Sequence, residues 1–114
     1  MKIVVVSGGF DPIHSGHIAY LKEAKKLGDK LIVALNSDEW LINKKGKFFM
    51  PIEERKVIIE NLSCVDSVIE FEDVNGKTMN DFLPEIYSKS NAPKPNSENI
   101  NLFTIKGGPY AVIK

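Results

Sequence analysis

Two histidines, His14 and His17, stand in the stretch Gly8-Gly9-Phe10-Asp11-Pro12-Ile13-His14-Ser15-Gly16-His17. An apolar run, Ile3-Val4-Val5-Val6, comes before it, and helical periodicity starts at its end. A buried strand, a glycine-bearing turn and a helix start, in that order, form a phosphate site. Glycines let backbone approach a ligand closely, and a helix N-terminus offers unpaired N–H groups with a partial positive charge. The two imidazoles add donors at the same entrance. No third ligand follows them at zinc-binding spacing, so no protein-held metal is assigned. Neither the P-loop lysine motif nor GxGxxG occurs, which sets aside two common phosphate cradles.

Further cations follow. Lys44, Lys45 and Lys47 surround Gly46 downstream of a second apolar run, Leu31-Ile32-Val33-Ala34-Leu35. Lysine and arginine together number 15, and Arg55 is the one arginine among them. A planar two-pronged donor therefore has one place to be. Lys106-Gly107-Gly108 closes a late apolar run, Leu102-Phe103-Thr104-Ile105.

The elements that must position these residues read as follows. Residues 2–7 form a strand buried on both faces. Helix one spans 16–27, with Ile18, Leu21, Ala24 and Leu27 on the core side and Gly28 as its C-terminal cap. Residues 31–35 form the second strand, ending in Asn36-Ser37-Asp38, a polar turn that opens a helix at Glu39. The Lys44–Lys47 stretch reads as a loop. Pro51-Ile52-Glu53-Glu54 opens a further helix, with Ile52, Ile58, Ile59 and Leu62 as its stripe and Arg55 on the flank. Residues 65–71 form the third strand. Residues 79–87 read as a helix with Phe82, Leu83, Ile86 and Tyr87 inward, 88–99 as a flexible loop, and 102–105 as a last strand. Strand, helix, strand in this order implies an α/β fold: a Rossmann-like, doubly wound parallel sheet in three layers, α/β/α. Ligands of such sheets sit beyond the carboxyl ends of the strands, so Asp38 and the lysines face the same crevice as the histidines.

A chain of 114 residues reads as one domain, 1–114, and its 43% hydrophobic and 26% charged content is that of a globular protein. Fifteen basic against fifteen acidic residues give no net charge, which points to neither nucleic acid nor an anionic membrane as partner. No apolar run is long enough to span a bilayer, and Met1-Lys2-Ile3 leads directly into a strand, so the expected location is the cytoplasm. The one cysteine, Cys64, reads as a small buried hydrophobe.

Phe10-Asp11-x-x-His14-x-Gly16-His17 is similar to the HxGH signature of the nucleotidyltransferase superfamily. The chain resembles its cytidylyltransferase-like enzymes, in particular glycerol-3-phosphate cytidylyltransferase and the heptose-phosphate adenylyltransferases. The likeness runs from about Met1 to Phe71, with an echo at Lys106-Gly107-Gly108. It implies transfer of CMP or AMP from CTP or ATP to a small phosphorylated polyol or sugar, with release of pyrophosphate and with Mg2+ held mainly by the triphosphate. It implies catalytic roles for His14, His17, Lys44 and Lys45, and nucleotide contacts at Gly8, Gly9, Phe10, Asp11, Gly16, Lys106 and Gly107. Asp38 and Arg55 are implied on the acceptor side, Arg55 gripping its phosphate two-pronged and Asp11 serving as a structural or metal-contacting carboxylate. A homodimer is implied as well. The chain departs from the pattern at Gly46, where the cytidylyltransferases carry a lysine, and at Pro109, where an aspartate follows Lys-Gly-Gly. It also ends at Lys114, ahead of the family's Ser/Thr-rich helix start, and so is expected to be C-terminally short. A non-catalytic nucleotide-binding module, or a subunit dependent on a fuller partner, is the alternative.

Overall fold

Strands apolar at every position need cover on both faces, and the sheet is built around two of them. The computed structural model describes residues 2–71, 79–90, 100–105 and 108–113. Strands β1 (Ile3–Gly8), β2 (Lys30–Leu35) and β3 (Ser67–Glu70) are parallel. The register sets Ile3 opposite Lys30 and Gly8 opposite Leu35, so β1 and β2 end level with one another.

Alternation then divides the core. Val4, Val6, Leu31, Val33, Leu35 and Val68 point to one face, where helices α1 (Ser15–Lys25) and α3 (Ile52–Glu60) contribute Tyr20, Leu21, Ala24 and Ile59. Ile3, Val5, Ile32, Ala34 and Ile69 point to the other. There α4 (Met79–Ser90) covers them with Leu83, Ile86 and Tyr87, the face its periodicity predicts. Helix α2 (Asp38–Lys45) buries Leu41 at the sheet's carboxyl end. This is the three-layer α/β/α arrangement of a Rossmann-like fold.

The strand expected at 102–105 lies within β4 (Ile100–Ile105), and the C-terminal part adds a further strand, β5 (Gly108–Ile113), that the sequence reading did not contain. Strands β4 and β5 form an antiparallel hairpin, and the sheet order is β3-β2-β1-β5-β4. β5 runs antiparallel to β1, from Ile3 opposite Ile113 to Val6 opposite Tyr110. The parallel sheet therefore comprises β1 to β3, and β1 stands where the chain switches from one side of the sheet to the other.

Three local expectations are corrected. Helix α1 ends at Lys25, and Leu27, expected in the core, is 37% exposed. Gly28 is not a left-handed cap; it is small because a Cβ there would lie 2.9 Å from the Lys2 carbonyl. Residues 88–90 extend α4 instead of opening a loop, while 91–99 lie outside the described residues. No helix among the described residues is long and apolar enough to cross a membrane.

Candidate active site

The turn after β1 leaves the sheet at its switch point, the place where open α/β sheets bind ligands. Phe10 turns the chain with a left-handed backbone, φ 51°, a conformation costly for a residue with a Cβ. Its ring is sunk in the core and meets the His17 ring edge-on at a centroid distance of 5.1 Å. Phe10 is therefore a packing residue beneath the site. Gly8 and Gly9 act through backbone: the Gly8 carbonyl accepts the Asn36 N–H at 2.9 Å, and the Gly9 carbonyl accepts from Arg55.

The two histidines cap α1 reciprocally. His14 is the N-cap, and its Nδ1 accepts the Gly16 N–H at 3.0 Å. His17 lies one turn on, and its Nδ1 accepts the His14 N–H at 3.2 Å. Gly16 makes this possible, since a Cβ there would come within 2.8 Å of His14 Cε1. The rings stack with centroids 3.9 Å apart. With each Nδ1 accepting, the proton of each neutral imidazole belongs on Nε2. The pair thus presents two Nε2–H donors at the positive end of a helix. Burial, aided by the neighbouring His14, lowers the His17 pKa below its usual 6.5, so the ring is neutral at pH 7.

The cations fall out differently from the expected loop. Lys44 and Lys45 lie on the last turn of α2, and Gly46 is its left-handed C-cap, φ 85°. The Lys44 ammonium lies over the Trp40 ring, 4.6 Å from its centroid. The Lys45 ammonium donates to the Asp11 carbonyl at 2.6 Å and pairs with its carboxylate at 3.1 Å. Asp11 Oδ2 also accepts the Phe49 N–H at 2.7 Å, and Oδ1 the Met50 N–H at 2.6 Å. Burial pushes the Asp11 pKa up, but the Phe49 and Met50 amides and Lys45 outweigh it and hold the carboxylate below its usual 3.8. Of its two expected roles, the structural one is on display.

Arg55 was expected to grip an acceptor phosphate. Its side chain is 0% exposed, and its fork meets protein oxygens. Nε donates to the Met50 carbonyl at 2.9 Å, Nη1 to the Gly9 and Asn36 carbonyls at 2.8 Å each, and Nη2 to Asp38 Oδ1 at 2.6 Å. The guanidinium thereby ties the turn after β1, the end of β2, the first turn of α2 and the residue before Pro51 into one unit. Asp38 serves as its counter-charge. Asn36, buried and polar, and the Phe49 and Met50 backbone were missed by the sequence reading because backbone groups carry no residue-type signal. Lys106 and Gly107 lie outside the described residues. Among the described residues, no three His, Cys, Asp or Glu side chains gather as a metal-binding set.

The family described as "Cytidylyltransferase-like" matches residues 5–107. The Bifunctional protein HldE of Yersinia pestis (strain Pestoides F) is 42% identical over 98 residues, 83% of this chain and 21% of that protein. HldE of Yersinia pseudotuberculosis serotype O:1b (strain IP 31758) gives the same figures, 42%, 83% and 21%. The chain thus spans about a fifth of the length of these curated relatives. A crystal structure of the lipopolysaccharide core biosynthesis protein from Thermoplasma volcanium GSS1 superposes with a TM-score of 0.62 at 34% identity, covering 74% of this chain and 66% of that one.

Proposed function

From a chain that belongs to the cytidylyltransferase-like family, we propose a nucleotidyltransferase that moves CMP or AMP from the nucleoside triphosphate onto a small phosphorylated sugar or polyol. An acceptor phosphate oxygen attacks the α-phosphorus, the bond from that phosphorus to the β-bridging oxygen breaks, and pyrophosphate leaves. The acceptor is already an anion, so no base need remove a proton. Catalysis then rests on alignment and on donors placed where negative charge builds.

The observation that carries this reading is the histidine pair, whose Nδ1 atoms are both spent on backbone N–H groups. The remaining Nε2–H donors suit the oxygens of the transferred and leaving phosphoryl groups. The N-terminal amides of α1 suit the same anions. Gly8, Gly9 and Gly16 shape the backbone around them, and the Lys44 and Lys45 ammoniums supply positive charge from α2. Arg55 and Asp38 hold the acceptor side in shape. With no carboxylate cluster of its own among the described residues, the site fits a triphosphate that brings Mg2+ as part of the substrate. A sugar phosphate is the favoured acceptor, because the Thermoplasma relative is described as a lipopolysaccharide core biosynthesis protein. The reading includes a cytoplasmic homodimer, the cytoplasm being where nucleoside triphosphates are available.

The test is pyrophosphate release from CTP, ATP, GTP and UTP, each with Mg2+ and a panel of sugar and polyol phosphates. One nucleotide with one acceptor class should turn over. His17→Ala should lower kcat by about 10²-fold or more, the worth of one preorganised donor. Silence across the panel with nucleotide binding retained in calorimetry would favour a non-catalytic binding module, or a subunit that needs a fuller partner.

A further inference from the structure

Three lysines stand near the site, and they are held unequally. Lys44 lies over Trp40, and Lys45 and Lys47 each lie 5.0 Å from the Phe49 ring centroid. Lys45 alone among them is tied to the turn that leads into His14. It donates to the Asp11 carbonyl at 2.6 Å, and its ammonium is 3.1 Å from the Asp11 carboxylate. The Asp11 side chain is fully buried while that of Lys45 is 34% exposed, so the aspartate is the fixed partner and the lysine side chain is in part open to solvent. Both carboxylate oxygens are already occupied by the Phe49 and Met50 N–H groups. An ammonium has three N–H donors; two directed at Asp11 leave one for a ligand.

We infer that Asp11 is a positioning residue that delivers the Lys45 ammonium to the phosphate site beside His14 and His17, making Lys45 the principal lysine contact to the triphosphate. Asp11 itself touches neither nucleotide nor metal. Its carbonyl and carboxylate grip Lys45 from a turn whose own path is set by the buried Phe10 and by the amides of 49 and 50. A lysine held in this way enters the complex already oriented, whereas a free surface lysine loses most of its rotamer freedom on binding.

The inference rests on the proposed nucleotidyl transfer, and its test separates the two. Pyrophosphate release and inorganic pyrophosphate binding by the unaltered protein report on the transfer reading: if both are absent, that reading fails and this inference falls with it. Given activity, Lys45→Met, Asp11→Asn and the double variant form a cycle. Lys45→Met should lower kcat about 10- to 100-fold, with a smaller loss of melting temperature than Asp11→Asn, since the Phe49 and Met50 amides still satisfy the carboxylate. Asp11→Asn should lose a similar factor, and the double variant should lose no more than the worse single one, because either change undoes the placement of the same ammonium. The Mg2+ concentration giving half-maximal rate should be the same in Asp11→Asn as in the unaltered protein. Multiplying losses, a shifted Mg2+ requirement, or an unaltered rate in Lys45→Met would each overturn the inference. If Asp11→Asn does not fold, Lys45→Met decides by itself. Labelling lysines by reductive [13C]methylation adds a second arm: inorganic pyrophosphate should move the Lys45 resonance more than that of Lys44, and the reverse order would refute the assignment.

Discussion

Both ends of the parallel strands are tied by an aspartate that takes a backbone amide and a lysine, yet the two ends are tied in different surroundings. At the amino end, Asp66 accepts the Leu31 N–H at 2.7 Å and pairs with Lys25. Lys25 also reaches the Asp29 carbonyl at 2.9 Å, and Asp29 takes the Lys2 N–H at 2.7 Å. Asp66 there is 38% exposed. At the carboxyl end, Asp11 and Arg55 are both 0% exposed and meet backbone at almost every polar atom. Where water reaches, a lost partner is replaced by solvent. Where it does not, every partner must be present at once, and a buried ionic network adds little net stability but is costly to break. Such a network at the carboxyl end is explained by geometry: it holds the histidine turn, the end of β2, α2 and the 46–51 segment in one arrangement.

The comparison breaks most directly at Arg55. Arg55→Ala leaves three carbonyls and the Asp38 carboxylate without their donor, and should cost about 3–5 kcal/mol in urea unfolding. A loss under about 1 kcal/mol would put the two ends on the same footing. The histidines come next, because their caps are half-open to water. His14→Ala should cost about 1 kcal/mol, and His14→Asn should regain most of that as a favoured N-cap. The asparagine variant should nonetheless release pyrophosphate slowly, since it caps without restoring the Nε2–H donor. Stability and rate recovering together would deny the histidine a separate chemical role.

Acidification sharpens the contrast further. The folded state lowers the His17 pKa, so the unfolded chain binds the proton more tightly and stability falls as pH drops below about 6.5 toward the folded value. Urea midpoints at pH 7.5 and 5.5 should show this slope, and His17→Ala should flatten it. At lower pH the two aspartates act in the same direction. Burial raises each pKa but is outweighed, at Asp11 by the Phe49 and Met50 amides and Lys45, and at Asp66 by Lys25 and the Leu31 amide. Stability from both is complete above their usual 3.8 and is lost as pH falls through the depressed folded values. The smallest effect belongs to the amino end. Asp66→Asn should cost at most about 1 kcal/mol at pH 7, as partly exposed ion pairs do, and should leave pyrophosphate release unchanged. A slowed rate would mean that the two ends are coupled through the sheet.

How far the site was legible follows from what each residue needs. The histidine turn was legible because its chemistry is local: strand, glycines, N-cap and imidazoles lie within ten consecutive residues, Gly8 to His17. Arg55 was read as a phosphate ligand although its position carried a warning. Ile52, Arg55 and Ile59 recur at i, i+3 and i+7, the spacing of one helix face. Ile59 on that face is buried, and so is Arg55. A charge on an apolar stripe is a charge headed for the interior. The lysine stretch was read as a loop because Gly46 was taken as a loop residue, whereas it caps α2 in the left-handed conformation.

The sequence by itself determined strands β1 to β4, most of the helix faces and the entrance of the site, since each follows from periodicities of two or three to four residues and from caps read within one turn. Even β5 shows the limit of that reasoning. β5 was not read as a strand; it holds Pro109, opposite Thr104 of β4 and one residue beyond Tyr110, where the register with β1 stops. Only the tertiary structure decided which charged residues stay open to solvent and which are turned into the protein. The partners of Asp11 are amides 38 and 39 residues away, and two of the carbonyls held by Arg55 lie 46 and 19 residues away. Backbone groups are the same at every position of a chain, so an ionised side chain that seeks them leaves no pattern in sequence, and the fold alone brings them within reach.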